Sequence, residues 1–154
     1  MTPSQVRSEL LRQHADLRQL MEAAREIARR VREGESLRRQ LQASTLRLAD
    51  ALNAHNRREE ELLPALTADG GWAPADPEGV NQRHFEEHKT LHGALVEVST
   101  EPNAGWVAGH LVLALDTLLE HMANEERTFL HHSLLHDDEP DTDPYGGRPL
   151  GTGT

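Results

Sequence analysis

The 154-residue sequence contains no cysteine, and only 3% of its residues are aromatic. Without cysteine, the chain forms no disulfide, thiolate metal site or iron–sulfur cluster and has no cysteine nucleophile. A core with so few aromatic side chains is built from Leu, Val, Ala and Met, which is typical of helical bundles. No apolar run approaches membrane-spanning length, and the N-terminus lacks the apolar segment of a signal peptide. We therefore expect a cytoplasmic protein without a membrane partner.

Basic residues are also scarce relative to acidic ones. The formal charge is −10, from 26 acidic and 16 basic residues. This excess of negative charge argues against a nucleic-acid partner. Histidine, by contrast, is abundant, with ten residues in the chain. Histidine side chains are therefore the first candidates for a functional site.

Glycine and proline divide the chain into four segments whose apolar residues recur every three or four positions. The segments run from Thr2-Pro3 to Gly34, from Gly34 to Asp69, from Asp76-Pro77 to Thr100, and from Val107 to Leu135. Pro64 lies in the last turn of the second segment and predicts a kink or an early end there. The pattern predicts an all-α, antiparallel up-down four-helix bundle over residues 1–136. A disordered acidic, Pro/Gly-rich tail is expected over residues 137–154.

Each predicted helix places polar residues where its apolar stripe would normally continue with leucine. These residues are His14 in the first helix, His55 and Glu59 in the second, His88 with a neighbouring histidine in the third, and His121 and Glu125 in the fourth. Burying an unpaired carboxylate costs several kcal/mol, and a bound cation cluster removes that cost. Counted from the helix ends, the residues share one layer roughly 14 to 21 Å from one end of the bundle.

Neighbouring residues leave two choices open. Glu59 and Glu125 follow the stripe at i+4 from a histidine, whereas Glu60 and Glu126 are rotated away by about 100°. A local distortion of the helix would bring in Glu126 instead of Glu125. Glu60, Glu126 and Glu87 are otherwise assigned to the solvated face.

The third helix carries a ladder of histidines at positions 84, 88 and 92. His88 and His92 straddle the layer and are the preferred ligands. His84 lies lower and is interpreted as an outer residue or one on the access side, although it remains an alternative to His92.

The donor set itself indicates the class of metal. Imidazole and carboxylate without thiolate suit iron, manganese or zinc. Two carboxylates able to bridge favour a pair of metals over one. The Glu-x-x-His signature of ferritin-like di-iron proteins is absent, since no histidine has a glutamate three residues before it.

These residues resemble the hemerythrin-like, or HHE cation-binding, domains, in particular the bacterial members. The resemblance covers about residues 6–135 and is carried by His14 and by the motifs HNRREEELLPAL, EEHKTLH and HMANEE. It implies two iron ions in an oxo- or hydroxo-bridged centre. One iron would be held by His14 and His55, the other by His88, His92 and His121, with Glu59 and Glu125 as bridges. The chain departs from the muscle and blood hemerythrins, which have Asp one residue further on where this chain has Glu125 and Glu126.

The expected function is a di-iron protein that binds O2 as a carrier, store or sensor. The sole tyrosine, Tyr145, lies in the predicted tail, so the core lacks an obvious internal electron donor that would oppose reversible binding. Two alternatives use the same site: a stress protein that consumes peroxide or nitric oxide, and an iron sensor. The expected partner is O2 or another small diatomic or peroxide ligand, and a binding protein is favoured over an enzyme.

Overall fold

The computed structural model describes residues 1–68 and 77–131, which form four α-helices. The helices are α1 (Pro3–Arg32), α2 (Arg38–Ala68), α3 (Pro77–Thr100) and α4 (Ala104–Arg127). Each helix packs against the next, and α1 also packs against α4, which closes the bundle. The predicted four-helix bundle is confirmed. The predicted tail and the loop over residues 69–76 lie outside the described residues.

Hydrogen bonds at the helix ends fix the antiparallel arrangement. Arg7, near the start of α1, donates to the carbonyl of Leu130, just after α4, at 2.7 Å. Gln42, near the start of α2, donates to the carbonyl of Glu101, just after α3, at 3.0 Å. The helices of the described segments are all too short or too polar to cross a membrane.

The ends of α1 follow from the sequence. Thr2 and Gln5 form a capping box in which each side chain accepts a backbone N–H of the other residue. Gly34 follows the helix with φ +100°, a conformation that glycine adopts without steric cost. The chain therefore reverses direction between α1 and α2 within a few residues.

The C-terminal ends of α2 and α4 can be compared with the sequence prediction. α2 continues through Pro64 to Ala68, so the possible early end does not occur. α4 ends at Arg127 instead of near Leu135, because Thr128 leaves the helical conformation with φ −105° and ψ −109°. The Thr128 hydroxyl donates to the carbonyl of Asn124 at 2.8 Å, which satisfies one of the last carbonyls of the helix.

The apolar core consists of two clusters separated by a polar layer. The larger cluster contains buried residues from all four helices, including Leu17, Leu48, Leu95 and Leu115. The smaller cluster is formed by Val6, Leu10, Leu62, Leu63, Leu66, Phe129 and Leu130. In α1, His14 lies between Leu10 of one cluster and Leu17 of the other, so a polar layer interrupts the core.

Candidate metal centre

The polar layer contains seven histidine and glutamate side chains from all four helices. Six of them are buried: His14, His55, Glu59, His88, His121 and Glu125. The seventh, His84, has a side chain that is 10% exposed. Because α-helical residues at i and i+4 lie on one face, the His–Glu pairs of α2 and α4 both point into this layer.

The seven side chains form two groups that share one member. The first group is His84, His88, His121 and Glu125, and the second is His14, His55, Glu59 and Glu125. Within each group, one ligand atom from every residue lies within 4.8 Å of all the others. Two adjacent positions suitable for metal ions therefore exist in the described part of the chain.

Both carboxylates reach residues of both groups. Glu59 Oε2 lies 3.1 Å from His55 Nε2, and Glu59 Oε1 lies 3.2 Å from His88 Nε2 and also contacts His84 Nε2. Glu59 therefore contacts histidines of both groups.

Glu125 is placed in the same way from the opposite side. Its Oε1 lies 3.0 Å from His121 Nε2 and 3.5 Å from His14 Nε2. Its Oε2 lies 3.3 Å from His84 Nε2. The pair Glu59 and Glu125 therefore joins the histidines of α1 and α2 to those of α3 and α4.

Four of the histidines use their Nδ1 atom, which faces away from the layer, to hydrogen-bond a side chain of a neighbouring helix. The Nδ1 acceptors are Gln13 for His55 at 2.7 Å, Glu60 for His88 at 3.3 Å, Glu87 for His121 at 2.7 Å and Glu126 for His14 at 3.1 Å. We call these four contacts the outer ring. Because each Nδ1 donates to an oxygen acceptor, the neutral imidazole keeps the lone pair on Nε2.

The inward-facing atoms are those that a cation would bind. The Nε2 atoms of His14, His55, His88 and His121 are buried without a hydrogen-bond partner, as are Glu59 Oε2 and both carboxylate oxygens of Glu125. Lone pairs of nitrogen and oxygen therefore face one another at close range, which is unfavourable in a site that excludes water. These seven orphaned atoms fit a pair of metal ions ligated by imidazole and carboxylate.

The titration behaviour of the metal-free site reflects this crowding. Burial lowers the pKa of His14 to about 4, so its imidazole is neutral and able to bind a metal at neutral pH. Burial, with the nearby charge of Glu59, raises the pKa of Glu125 well above its usual range. Burial also opposes ionisation of Glu59, but contacts from His55, His84 and His88 outweigh it and hold that pKa well below its usual range. The surroundings of the two adjacent carboxylates therefore favour the ionised form of Glu59 and the protonated form of Glu125.

Glu126 is held in place by an arginine as well as by a histidine. Arg18 donates to both of its carboxylate oxygens, at 2.8 and 2.9 Å. Burial raises the pKa of Glu126, but the bonds from Arg18 and His14 outweigh it and leave the pKa lowered. The carboxylate is therefore ionised, and it orients the His14 ring.

The placement of the predicted residues differs at one position of α3. His14, His55, Glu59, His88, His121 and Glu125 all lie in the two groups, whereas His92 is half-buried and lies in neither. His84, which the sequence left as an alternative, takes its place beside His88 with the ring centroids 4.1 Å apart. Exchanging His92 for His84 moves the α3 ligands by one helical turn, about 6 Å, which is within the roughly 7 Å thickness of the predicted layer.

The outer-ring acceptors were missed from the sequence. The sequence analysis assigns Glu60, Glu87 and Glu126 to the solvated face and gives Gln13 no role, whereas all four are acceptors in the structure. A signal was available: each acceptor is the sequence neighbour of a residue in the layer, and a shift of one residue turns a side chain by about 100°, toward the adjacent helix.

Comparison with known proteins identifies the family. The family model described as the hemerythrin HHE cation binding domain matches residues 6–132. No curated protein and no solved structure matches the chain.

Proposed function

Because the chain belongs to the hemerythrin HHE cation-binding family, we propose that it is a non-heme di-iron protein that binds O2 as a carrier, store or sensor. One iron would be held by His14 and His55. The other would be held by His84, His88 and His121, and Glu59 and Glu125 would be shared by the two. In this ligand set His84 replaces His92, on the geometry of the two groups.

The observation that carries the proposal is the set of seven orphaned atoms facing one another between the helices. A single cation would satisfy one group and leave the other with unpaired buried lone pairs. Two cations satisfy both groups, and the two carboxylates neutralise part of their charge. Imidazole and carboxylate without thiolate suit iron, manganese or zinc, and the resemblance to hemerythrin-like domains favours iron among them.

The unequal number of histidines supports binding of an external ligand. The position formed by α3 and α4 has three histidines, whereas the position formed by α1 and α2 has two. With both carboxylates shared, the position formed by α1 and α2 would have fewer protein ligands and could therefore accept an external ligand. When bound, the two irons would supply the electrons that reversible O2 binding requires, and the protein flanks the site with apolar clusters above and below the polar layer.

The first test is metal analysis combined with optical spectra of the purified protein. The protein is reduced without air, exposed to O2 and then deoxygenated again. We expect two irons per chain and a visible absorption band that appears with O2 and disappears on its removal. His55→Ala should lose the band and iron, whereas His110→Ala, at an exposed position of α4 bonded to the Trp106 carbonyl, should retain both.

Other results would support the alternatives or overturn the proposal. Two irons with irreversible bleaching and rapid consumption of peroxide or nitric oxide would favour a detoxifying protein. Iron binding that changes helicity sharply without any O2 response would favour an iron sensor. A single zinc, or retention of iron in His55→Ala, would contradict the di-iron centre.

A further inference from the structure

The two metal positions differ in their access to solvent. All four residues of the His14–His55–Glu59–Glu125 group are buried, whereas the other group contains the half-buried His84. A metal at the first position is therefore enclosed by protein, and a metal at the second lies beside an opening.

That opening is a cleft of about 260 Å³ between α3 and α4. Its lining residues are Arg83, His84, Glu87, His121, Asn124, Glu125, Thr128 and Phe129. Three of the four residues in the exposed group, His84, His121 and Glu125, form part of its wall. The cleft therefore leads from solvent to the side chains of one metal position, whose His121 Nε2 and Glu125 oxygens lie buried behind its wall.

The rim of the cleft provides oxygen atoms suited to a hydrated cation. The Glu87 side chain is half exposed, at 50%, and its carboxylate accepts from His121. Asn124 and Thr128 place an amide and a hydroxyl beside it, and Arg83 contributes the positive charge of the lining. Oxygen donors at the mouth allow an incoming ion to exchange its waters stepwise before it meets the imidazoles.

A second cleft touches the centre on the opposite side without offering the same path. It has a volume of about 290 Å³, lies between α1 and α2 and reaches only His55 among the seven residues. Gln13, whose amide oxygen already binds the Nδ1 atom of His55, also lines it. Neither His14 nor Glu59 borders either cleft.

We propose that the cleft between α3 and α4 is the route by which divalent metal ions enter and leave the centre. The metal held by His84, His88 and His121 then exchanges with solvent before the metal held by His14 and His55. This inference rests on the proposed two-metal centre and adds an order of loading and release to it.

The test uses the full-length protein loaded with Zn²⁺, which is redox-inert, and follows release to a chromogenic chelator. We expect two phases of equal amplitude that together account for two zinc ions per chain. Asn124→Phe, which fills the mouth of the cleft, should slow the fast phase of release about tenfold. When metal-free protein is mixed with Zn²⁺ instead, Asn124→Asp should speed uptake about threefold because a carboxylate at the rim raises the local cation concentration. Ala54→Phe, at an exposed position of the opposite cleft, is the matched control and should leave both phases unchanged.

The outcomes separate this inference from the proposed function. Two zinc ions released in a single phase, or release slowed by Ala54→Phe and not by Asn124→Phe, would overturn the access route and leave the two-metal centre intact. Release of only one zinc ion per chain would overturn both. Asn124→Asp is nearly isosteric with the native residue, and helicity measured by circular dichroism verifies that all three variants are folded.

Discussion

Replacing Glu125 with glutamine should leave the metal-free protein as stable as the native one while removing most of the stabilisation that metal provides. In the metal-free protein the pKa of Glu125 is raised well above its usual range by burial and by Glu59. The raised pKa favours the protonated carboxyl group, and glutamine is its close neutral counterpart. Only the metal-bound state requires the ionised form.

The expected change in the free energy of unfolding distinguishes a neutral Glu125 from one that forms a buried ion pair. If Glu125 formed a buried ion pair with protonated His121, whose Nε2 lies 3.0 Å away, removing the charge would cost about 3–5 kcal/mol of stability. If Glu125 is a neutral acid awaiting a metal, Glu125→Gln should change the metal-free stability by less than about 1 kcal/mol. Metal present at one hundred times its dissociation constant stabilises the native protein by about 2.7 kcal/mol, and the variant should gain much less.

The assay is urea unfolding followed by far-ultraviolet circular dichroism, with and without chelator, at neutral pH. Glu120→Gln, at an exposed position of α4, is the matched control and should behave like the native protein in both conditions. A large loss of stability in metal-free Glu125→Gln, together with an unchanged gain from metal, would refute the reasoning.

Three further predictions concern the surroundings of the centre. Glu87→Ala removes the acceptor of the His121 Nδ1 and should weaken metal binding about 10- to 100-fold in a chelator competition, whereas Glu86→Ala should not. His84→Ala should reduce the metal content per chain measured by elemental analysis, whereas His92→Ala should retain it; the reverse result would restore the ligand set expected from sequence. Burial lowers the pKa of His14 from 6.5 to about 4, so the folded metal-free protein binds fewer protons than the unfolded chain in this range. Its free energy of unfolding should therefore fall by up to about 3 kcal/mol as the pH decreases from 6.5 to 4, and a His14→Leu variant should show a shallower dependence in urea titrations.

The fold and most of the layer were predictable because both depend on the helical repeat. Leu10 and Leu17 define a stripe that continues through His14, and the same rule places Glu59 and Glu125 four residues after a histidine. Periodicity therefore identifies which face of a helix is buried, and a polar residue on that face is visible in the sequence alone.

The sequence does not decide between His84 and His92 because each lies four residues from His88. The decision depends on how far α3 is shifted along the bundle axis relative to α2, and this shift is set by tertiary packing. The outer ring was missed for a related reason: Glu60 and Glu87 look like surface residues on their own helices. Their role appears only when the neighbouring helix is placed beside them.

The outer ring also has a consequence for the register of the bundle. Each helix contributes one histidine donor and one acceptor to it, so the four contacts close on themselves: α1 to α4, α4 to α3, α3 to α2 and α2 to α1. Sliding any helix by one turn, about 5.4 Å, would break two of these contacts at once. Apolar side chains alone tolerate such a slide because one leucine can replace another. The outer ring therefore fixes the register of the helices independently of metal. The ligand side chains are then already in place when an ion binds, and no helix has to move to supply them.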